Sequence, residues 1–429
     1  MYAVTSAARA SVASVHSCTA LSCLFVDDSA GLSPRPASGA EKLARAGRLA
    51  AYGTTVFAEM SALAAAHGAI NLGQGFPDAD GPDALLDTAV AAIRRGDNQY
   101  PPGRGVPELL QAVADHEERW WSQSYDPEGE ILVTAGATEA IAATVLGLCE
   151  PGDEVLTFEP YYDSYAAAIE LSGARRRVVT LRSPHWGFDP EELAAAVSPA
   201  TRLLLLNSPH NPTGKVFALP ELEYVARLCI EHDLIAVTDE VYEHLVFEGV
   251  HVPLSSLPGM RERTLKISSA GKTFSATGWK IGWVMGPARL VEAVRSVKQF
   301  LTYASGTPFQ YAVAAALALE DDYFAAAAGQ LQARRDRLCD GLSHLGWKLA
   351  RPQATYFAVV DIRQFGEHDG RSFCRALVAD PGVAAIPTEV FYDDKEAGRP
   401  LVRFAFCKRP EVIDEALRRL GRLELRRDG

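Results

Sequence analysis

Lys272 stands in the run Ser268-Ser269-Ala270-Gly271-Lys272-Thr273-Phe274-Ser275-Ala276-Thr277-Gly278-Trp279-Lys280-Ile281-Gly282-Trp283, directly behind an apolar stretch that reads as a strand. Small neighbours leave room for a ligand close to the backbone, and hydroxyls with backbone N–H groups suit a phosphate. A lysine so placed can form a Schiff base with an aldehyde once nearby positive charge or partial burial lowers its pKa. Taken alone it reads as an ordinary surface lysine in a Gly/Ser loop. Three further segments change that reading.

In Val237-Thr238-Asp239-Glu240-Val241-Tyr242 an acid follows an apolar strand, and a tyrosine comes three residues later. A carboxylate at a strand end can pair with a protonated pyridine nitrogen and make the ring a better electron sink, and Tyr242 can hydrogen-bond the ring hydroxyl oxygen. A lone Asp at such a place is otherwise a helix N-cap. Asn207-Ser208-Pro209-His210-Asn211-Pro212-Thr213-Gly214 is an irregular loop beyond a buried strand, which aims its Asn residues at a particular spot. Asx-turns are the competing explanation, and His210 reads as structural. Thr134-Ala135-Gly136-Ala137-Thr138-Glu139-Ala140 is a strand-to-helix junction whose free N–H groups and dipole favour an anion such as phosphate. No Gly-x-Gly-x-x-Gly follows a strand, since Gly103-Arg104-Gly105 follows a Pro-rich loop, and no P-loop sequence is present.

The elements that must hold these residues alternate. Strands are expected at Glu130–Thr134, Glu154–Phe158, Arg177–Leu181, Arg202–Asn207, Ile235–Thr238, Thr264–Ser268 and Gly282–Met285, with helices such as Glu139–Cys149, Ser164–Ser172 and Glu221–His232 between them. That alternation predicts an α/β fold, a mostly parallel seven-stranded sheet between helices, with functional residues at the carboxyl ends of strands. Val56–His67, Pro82–Arg95 and Glu108–Ser122 read as helices, the second with Leu85, Leu86, Val90 and Ile93 on one apolar face. After Pro287 come helices at Leu290–Phe300, Phe309–Leu319 and about Tyr323–Leu345, then strands at Tyr356–Asp361 and Leu401–Phe406 and a closing helix Glu411–Leu420, which predicts a smaller α+β domain. The expected division is residues 1–40 as a disordered extension, 41–88 as the N-terminal part of the small domain, 89–310 as the large domain and 311–429 as the rest of the small one.

Composition bounds the function. The 429 residues carry a formal net charge of -12, which argues against a nucleic-acid surface. No apolar run has the length needed to span a bilayer, so no membrane role is expected. Seven scattered cysteines (Cys18, Cys23, Cys149, Cys229, Cys339, Cys374, Cys407) suggest reduced thiols in a cytoplasmic setting and form no zinc-site spacing, so no metal is expected.

In this chain order the four segments match the class I/II aminotransferases of fold type I, which use pyridoxal 5'-phosphate. The resemblance runs from about Val56 to the C-terminus. It is carried further by Asn71-Leu72-Gly73-Gln74-Gly75-Phe76-Pro77-Asp78, by Asn98-Gln99-Tyr100-Pro101-Pro102-Gly103 and by Lys298-Gln299-Phe300-Leu301. The chain is most similar to the branch of kynurenine/glutamine transaminases and actinobacterial N-succinyldiaminopimelate aminotransferases. That branch carries Lys at the position of Lys280, where many class I members have Arg.

The resemblance implies a role for each matching position. Lys272 is the expected cofactor-holding lysine and the base of the 1,3-proton shift. Asp239 would bind the pyridine nitrogen, Asn211 and Tyr242 the ring hydroxyl oxygen, and Tyr162 would stack on the ring. Gly136, Ala137, Thr138, Ser269 and Lys280 would hold the phosphate. Tyr100 and Thr307 would reach the phosphate of a neighbouring subunit, which implies a homodimer with shared sites. Arg403 would clamp the substrate α-carboxylate, assisted by Asn207 and the backbone of Gly75. Phe57 and Tyr303 line the side-chain pocket or belong to core packing. The implied activity is ping-pong transfer of an amino group from an amino acid to a 2-oxo acid, with succinyldiaminopimelate, methionine, glutamine and kynurenine as open donors. A cysteine-conjugate β-lyase and a non-catalytic cofactor-binding regulator are the alternatives.

Overall fold

The computed structural model describes residues Tyr52–Leu423; the expectations for the 1–40 extension, with Cys18 and Cys23, fall outside them. The described strands are β1 (Ile70–Asn71), β2 (Ile131–Thr134), β3 (Glu154–Glu159), β4 (Arg175–Thr180), β5 (Thr201–Asn207), β6 (Ile235–Asp239), β7 (Thr264–Ser269), β8 (Gly282–Met285), β9 (Phe357–Asp361), β10 (Val383–Ala384), β11 (Ile386–Pro387) and β12 (Leu401–Ala405). Seven of them form one sheet in the order β2-β8-β7-β6-β5-β3-β4, parallel except for β8, which runs against both its neighbours.

A parallel sheet needs cover on both faces, and β5 shows why its sequence is an unbroken apolar run. Leu203 and Leu205 point into one core with Val237, Leu265, Ile267 and Val284, packed under helices Gly136–Leu148, Asp163–Ser172 and Ala288–Leu301. Leu204 and Leu206 point into a second core that includes the helix Leu219–Glu231. Each of these four leucines is at most 1% exposed, so no polar side chain is tolerated on either face until the strand ends at Asn207. Asn207 pairs in register with Asp239, and Ser269 closes β7 beside them, so the polar residues emerge together at the carboxyl edge.

Residues from the two ends of the described chain meet. β1 pairs in parallel with β10, and β11, β12 and β9 form an antiparallel sheet that places Arg403 in the middle of β12. The two-residue strands β1, β10 and β11 and the helices Pro190–Ala195 and Gly370–Ala379 were not among the expected elements. The two-residue strands and the six-residue helix carry too few residues to show a period, whereas Gly370–Ala379 does show one, burying Phe373, Cys374, Leu377 and Val378.

The expected apolar face of the second helix needs correcting. In Asp83–Arg95 the buried side is Leu85, Ala89 and Ala92, whereas Val90 and Ile93 are each 46% exposed. The helix packs on its alanines, which let a neighbouring helix come close, and it turns two larger apolar side chains outward. No helix among the described residues is long and apolar enough to cross a membrane.

Candidate active site

A cavity of about 350 Å³ opens at the carboxyl ends of β5, β6 and β7. The strand ends and their following loops bring Asn207, Asn211, Asp239, Tyr242, Ser269 and Lys272 to its wall. Gly136, Ala137, Thr138, Tyr162 and Lys280 line it from one side, and Gly75, Phe57 and Arg403 from the other. Segments spread over more than 340 positions of sequence thus meet in one place, as the four-segment reading required. Tyr100 and Tyr303 are not in this wall. They pack edge-to-face on each other at 5.5 Å and stay 84% and 48% exposed, so within one chain Tyr303 does not reach this cavity. The cause is local: helix Ala288–Leu301 ends at Thr302 and the chain reverses through Tyr303 at φ 62, which carries its ring outward.

Lys272 lies in the first turn after β7. Its ammonium sits 5.8 Å and 5.7 Å from the ring centres of Tyr242 and Tyr356. Among the described residues no hydrogen bond or ion pair engages it. Burial lowers its pKa to about 8, with Lys280 and Arg403 pushing the same way and Cys407 and Asp239 opposing. An unengaged amine that sheds its proton near neutrality is a nucleophile and a base.

Asp239 ends β6. Its Oδ2 accepts a 2.5 Å hydrogen bond from the Tyr165 hydroxyl, and burial raises its pKa to about 6 against the lowering effect of that bond. Tyr165, on helix Asp163–Ser172, was missed by the sequence reading. Its spacing marks it only as an apolar helix position, and the hydroxyl's partner is 74 residues away.

Asn207 has its amide occupied within the protein. Its Nδ2 donates to the carbonyl of Asp239 at 2.8 Å, and its Oδ1 accepts from the backbone N–H of Asn211 at 2.7 Å. Asn207 therefore holds the Asn211 loop against β6. The Asn211 Oδ1 in turn accepts from Arg403 Nη1 at 3.1 Å. His210 is buried and bonded through Nδ1 to Thr213 Oγ1 at 2.7 Å, a structural histidine, as read.

Arg403 is 2% exposed. Besides Asn211 it donates from Nη2 to the carbonyl of Gly73 at 3.0 Å, and its guanidinium carbon lies 4.0 Å from the Phe357 ring centre, with Phe391 at 5.2 Å and Phe57 at 5.3 Å. Its Nε is buried with no hydrogen-bond partner among the described residues, and burial lowers its pKa to about 10. A buried guanidinium held flat by aromatic faces, with a donor unspent, is built to receive an anion. Phe357 and Tyr356, whose hydroxyl donates to the carbonyl of Gly75 at 2.7 Å, were also missed. They lie on or beside a correctly read strand, but nothing in its composition says which side faces the cavity.

At the opposite end, helix Gly136–Leu148 begins without a side-chain cap. Gly136 has φ 76, and a Cβ there would come within 3.2 Å of Lys280 Nζ. A Cβ on Gly282 would stand 2.8 Å from the backbone N of Ala137, so only glycine lets β8 pass this close to the helix start. The result is an exposed N-terminus with a lysine beside it, an anion cradle.

Sheet and cavity together define a transferase of fold type I. The family model for aminotransferase class I and II matches residues 67–420, and the chain belongs to that family. It is 52% identical over 385 residues to the probable N-succinyldiaminopimelate aminotransferase of Mycobacterium tuberculosis, covering 87% of this chain and 97% of the relative. It is 40% identical over 377 residues to the methionine aminotransferase of Escherichia coli, covering 88% and 97% respectively. The solved structure of N-succinyldiaminopimelate aminotransferase from Mycobacterium tuberculosis superposes with a TM-score of 0.86 at 53% identity, covering 88% of this chain and 99% of that one. The protein is an aminotransferase, an enzyme that moves amino groups between amino acids and 2-oxo acids.

Proposed function

We propose that this aminotransferase works with pyridoxal 5'-phosphate held at Lys272, and that N-succinyldiaminopimelate is its amino-acid substrate. The observation that carries the cofactor reading is the free amine of Lys272 between two opposite charged ends, the Lys280–Gly136 anion cradle and the Asp239 carboxylate. The residues fit the group. The amides of Gly136, Ala137 and Thr138, with Ser269 and Lys280, would hold its phosphate; Asp239 its ring nitrogen; Asn211 and Tyr242 its ring oxygen; Tyr162 its face. When bound, the cofactor supplies an aldehyde and an electron-withdrawing ring that takes up the electron pair left by the α-proton.

The rest is done by the chain. Arg403 binds the α-carboxylate with donors fixed by Gly73, Asn211 and the Phe357 face, which orients the Cα–H bond. Lys272 Nζ would take the α-proton and hold it for the 1,3-shift, a task suited to an amine whose pKa lies near 8. Asp239, kept anionic at neutral pH, holds the ring-nitrogen proton in place. Phe57, Phe76 and Phe357 give the cavity an apolar wall that fits the methylene chain of a long amino acid.

The substrate reading rests on the 52% identity to the Mycobacterium tuberculosis relative over nearly its whole length. The reading extends to a homodimer, in which Tyr100, Tyr303 and Thr307 of one protomer complete the site of the other. The exposed side chains Tyr100, Phe300 and Leu301 support it. It also takes 89–310 as the cofactor-binding domain, with 41–88 and 311–429 as the smaller one, in a reducing cytoplasm that suits five buried free thiols.

Two experiments test the reading. Borohydride treatment of holoenzyme followed by peptide mapping should place the pyridoxyl label on Lys272; a label elsewhere overturns the cofactor assignment. Comparison of kcat/KM for N-succinyldiaminopimelate, methionine and kynurenine should rank the first highest; a higher value for either of the others replaces it as the substrate.

A further inference from the structure

Behind the cavity, on the other side of the β6 and β7 ends, lies a group of charges that the reaction does not use. Lys266, on β7, is 0% exposed. Its ammonium lies 2.8 Å and 2.9 Å from the two carboxylate oxygens of Glu117, 2.7 Å from Glu243 Oε2 and 3.7 Å from Glu240 Oε2. Ser268 donates to Glu243 Oε1 at 2.6 Å, and His251 Nε2 pairs with Glu240 Oε2 at 2.7 Å. All of these side chains are buried. So many desolvated charges are costly, and replacing such a group by apolar side chains often stabilises a fold, so stability alone does not account for it.

The backbone connects this group to the site. After β6 the chain makes one tight turn, with the N–H of Glu243 bonded to the carbonyl of Glu240 at 2.9 Å and that of Leu245 to the carbonyl of Tyr242 at 2.8 Å. A three-residue spacing in such a turn gives two opposite faces. Asp239 and Tyr242 line the cavity, while Glu240 and Glu243 meet Lys266 on the far side. Lys266 and Ser268 are also two residues apart on β7, so they point away from Ser269, which lines the cavity one residue later.

We propose that Lys266 is a positioning residue: by gripping Glu240 and Glu243, with Glu117 bracing it from helix Pro107–Trp121, it fixes the turn that aims Asp239 and Tyr242 into the cavity. The proposal rests on the site reading above. It assigns the buried charges to placement of catalytic groups, the job a supporting shell does in any preorganised site.

Lys266→Met would strip the buried Glu117 and Glu243 of their counter-ion and can simply fail to fold. The test therefore loosens the grip from the edge, with Ser268→Ala and Glu243→Gln, and pairs them with Leu342→Ala, a core truncation in helix Asp321–His344 chosen for an equal fall in Tm. Three quantities are read: Tm, the Kd of apoprotein for pyridoxal phosphate, and kcat with KM for the amino donor. The turn variants should weaken cofactor binding and lower kcat by about tenfold each while KM moves less than about twofold, since a small misplacement of positioned groups is felt in the chemical step. Leu342→Ala should leave Kd and kcat unchanged. If the turn variants also keep wild-type Kd and kcat at reduced Tm, the charges are structural only and the proposal is overturned. Asp239→Asn, measured alongside, separates the two layers. If it loses activity while the turn variants do not, the positioning proposal alone fails. If it too keeps wild-type kcat, the site reading fails and takes the proposal with it.

Discussion

Tyr165 donates a 2.5 Å hydrogen bond to Asp239 in the cavity wall, and that bond, with the Val241 N–H and the charge of Lys272, offsets part of the cost of burying the carboxylate. Burial still wins and holds the Asp239 pKa at about 6, above the ordinary 3.8. A carboxyl whose pKa is raised on folding favours the fold while protonated; that contribution is present below about pH 4 and is lost as pH rises through 6. At pH 7 the difference of about 2 units corresponds to about 3 kcal/mol of destabilisation.

Asp239→Asn should therefore raise the Tm of the apoprotein at pH 7, and the gap to wild type should close as the pH is brought to 4. On the proposed site, the same variant should cost the holoenzyme about a hundredfold or more in kcat, because the ring nitrogen would lose its anionic partner. Thermal scans of apoprotein at pH 4 to 8, with turnover at pH 7, check both halves. A variant no more stable than wild type at pH 7 contradicts the account of Asp239.

If Lys272 captures the cofactor as proposed, its amine sets the pH dependence of that capture. The neutral amine is the reactive form, so the rate at which apoprotein takes up pyridoxal phosphate should rise with pH and level off above about 8. Lys280 lowers the Lys272 pKa through its charge. Lys280→Ala should therefore move the inflection to higher pH, as well as weakening uptake. Stopped-flow absorbance at a series of pH values reads both effects.

The large sheet could be read from the sequence because its strands, apart from the arginine-rich edge strand β4, are largely apolar runs, and each of the seven falls within two residues of its expected place at either end. The site was legible where a motif residue is also the residue that faces the cavity, as with Lys272, Asp239, Tyr242 and Arg403. It was not legible where the partner is distant. Tyr165 reads as one more apolar helix residue, and Phe357, though the one aromatic of its strand, reads equally well as core packing. Val90 and Ile93 misled for a related reason: periodicity finds an apolar face, but it does not say whether the face is covered by the chain itself.

Arg403→Lys keeps the charge and loses the planar fork that donates to Asn211 and Gly73 and lies flat on Phe357. Its kcat/KM should fall by about a hundred- to a thousandfold for every amino donor, with the larger share in KM. Steady-state kinetics with two unlike donors check this. A loss confined to one donor would mean that Arg403 reads the side chain and not the α-carboxylate.

Phe300 is 85% exposed and Leu301 51%, beside the Tyr100–Tyr303 pair, and on the proposed homodimer this patch would face the second protomer. Phe300→Glu should shift the protein toward monomer in sedimentation and lower the activity in proportion. A variant that is monomeric and fully active would show that each site is complete in one chain.

The most direct test of the central claim is a single half-reaction. Purified holoenzyme is mixed with one amino acid at a time, without any 2-oxo acid, and the absorbance of the bound cofactor is followed. The account predicts stoichiometric conversion to pyridoxamine phosphate with one equivalent of 2-oxo acid released, fastest with N-succinyldiaminopimelate and abolished in Lys272→Ala. If the spectrum is unchanged by every donor, or recovers while pyruvate and ammonia accumulate from a β-substituted amino acid, amino-group transfer is not what this site performs.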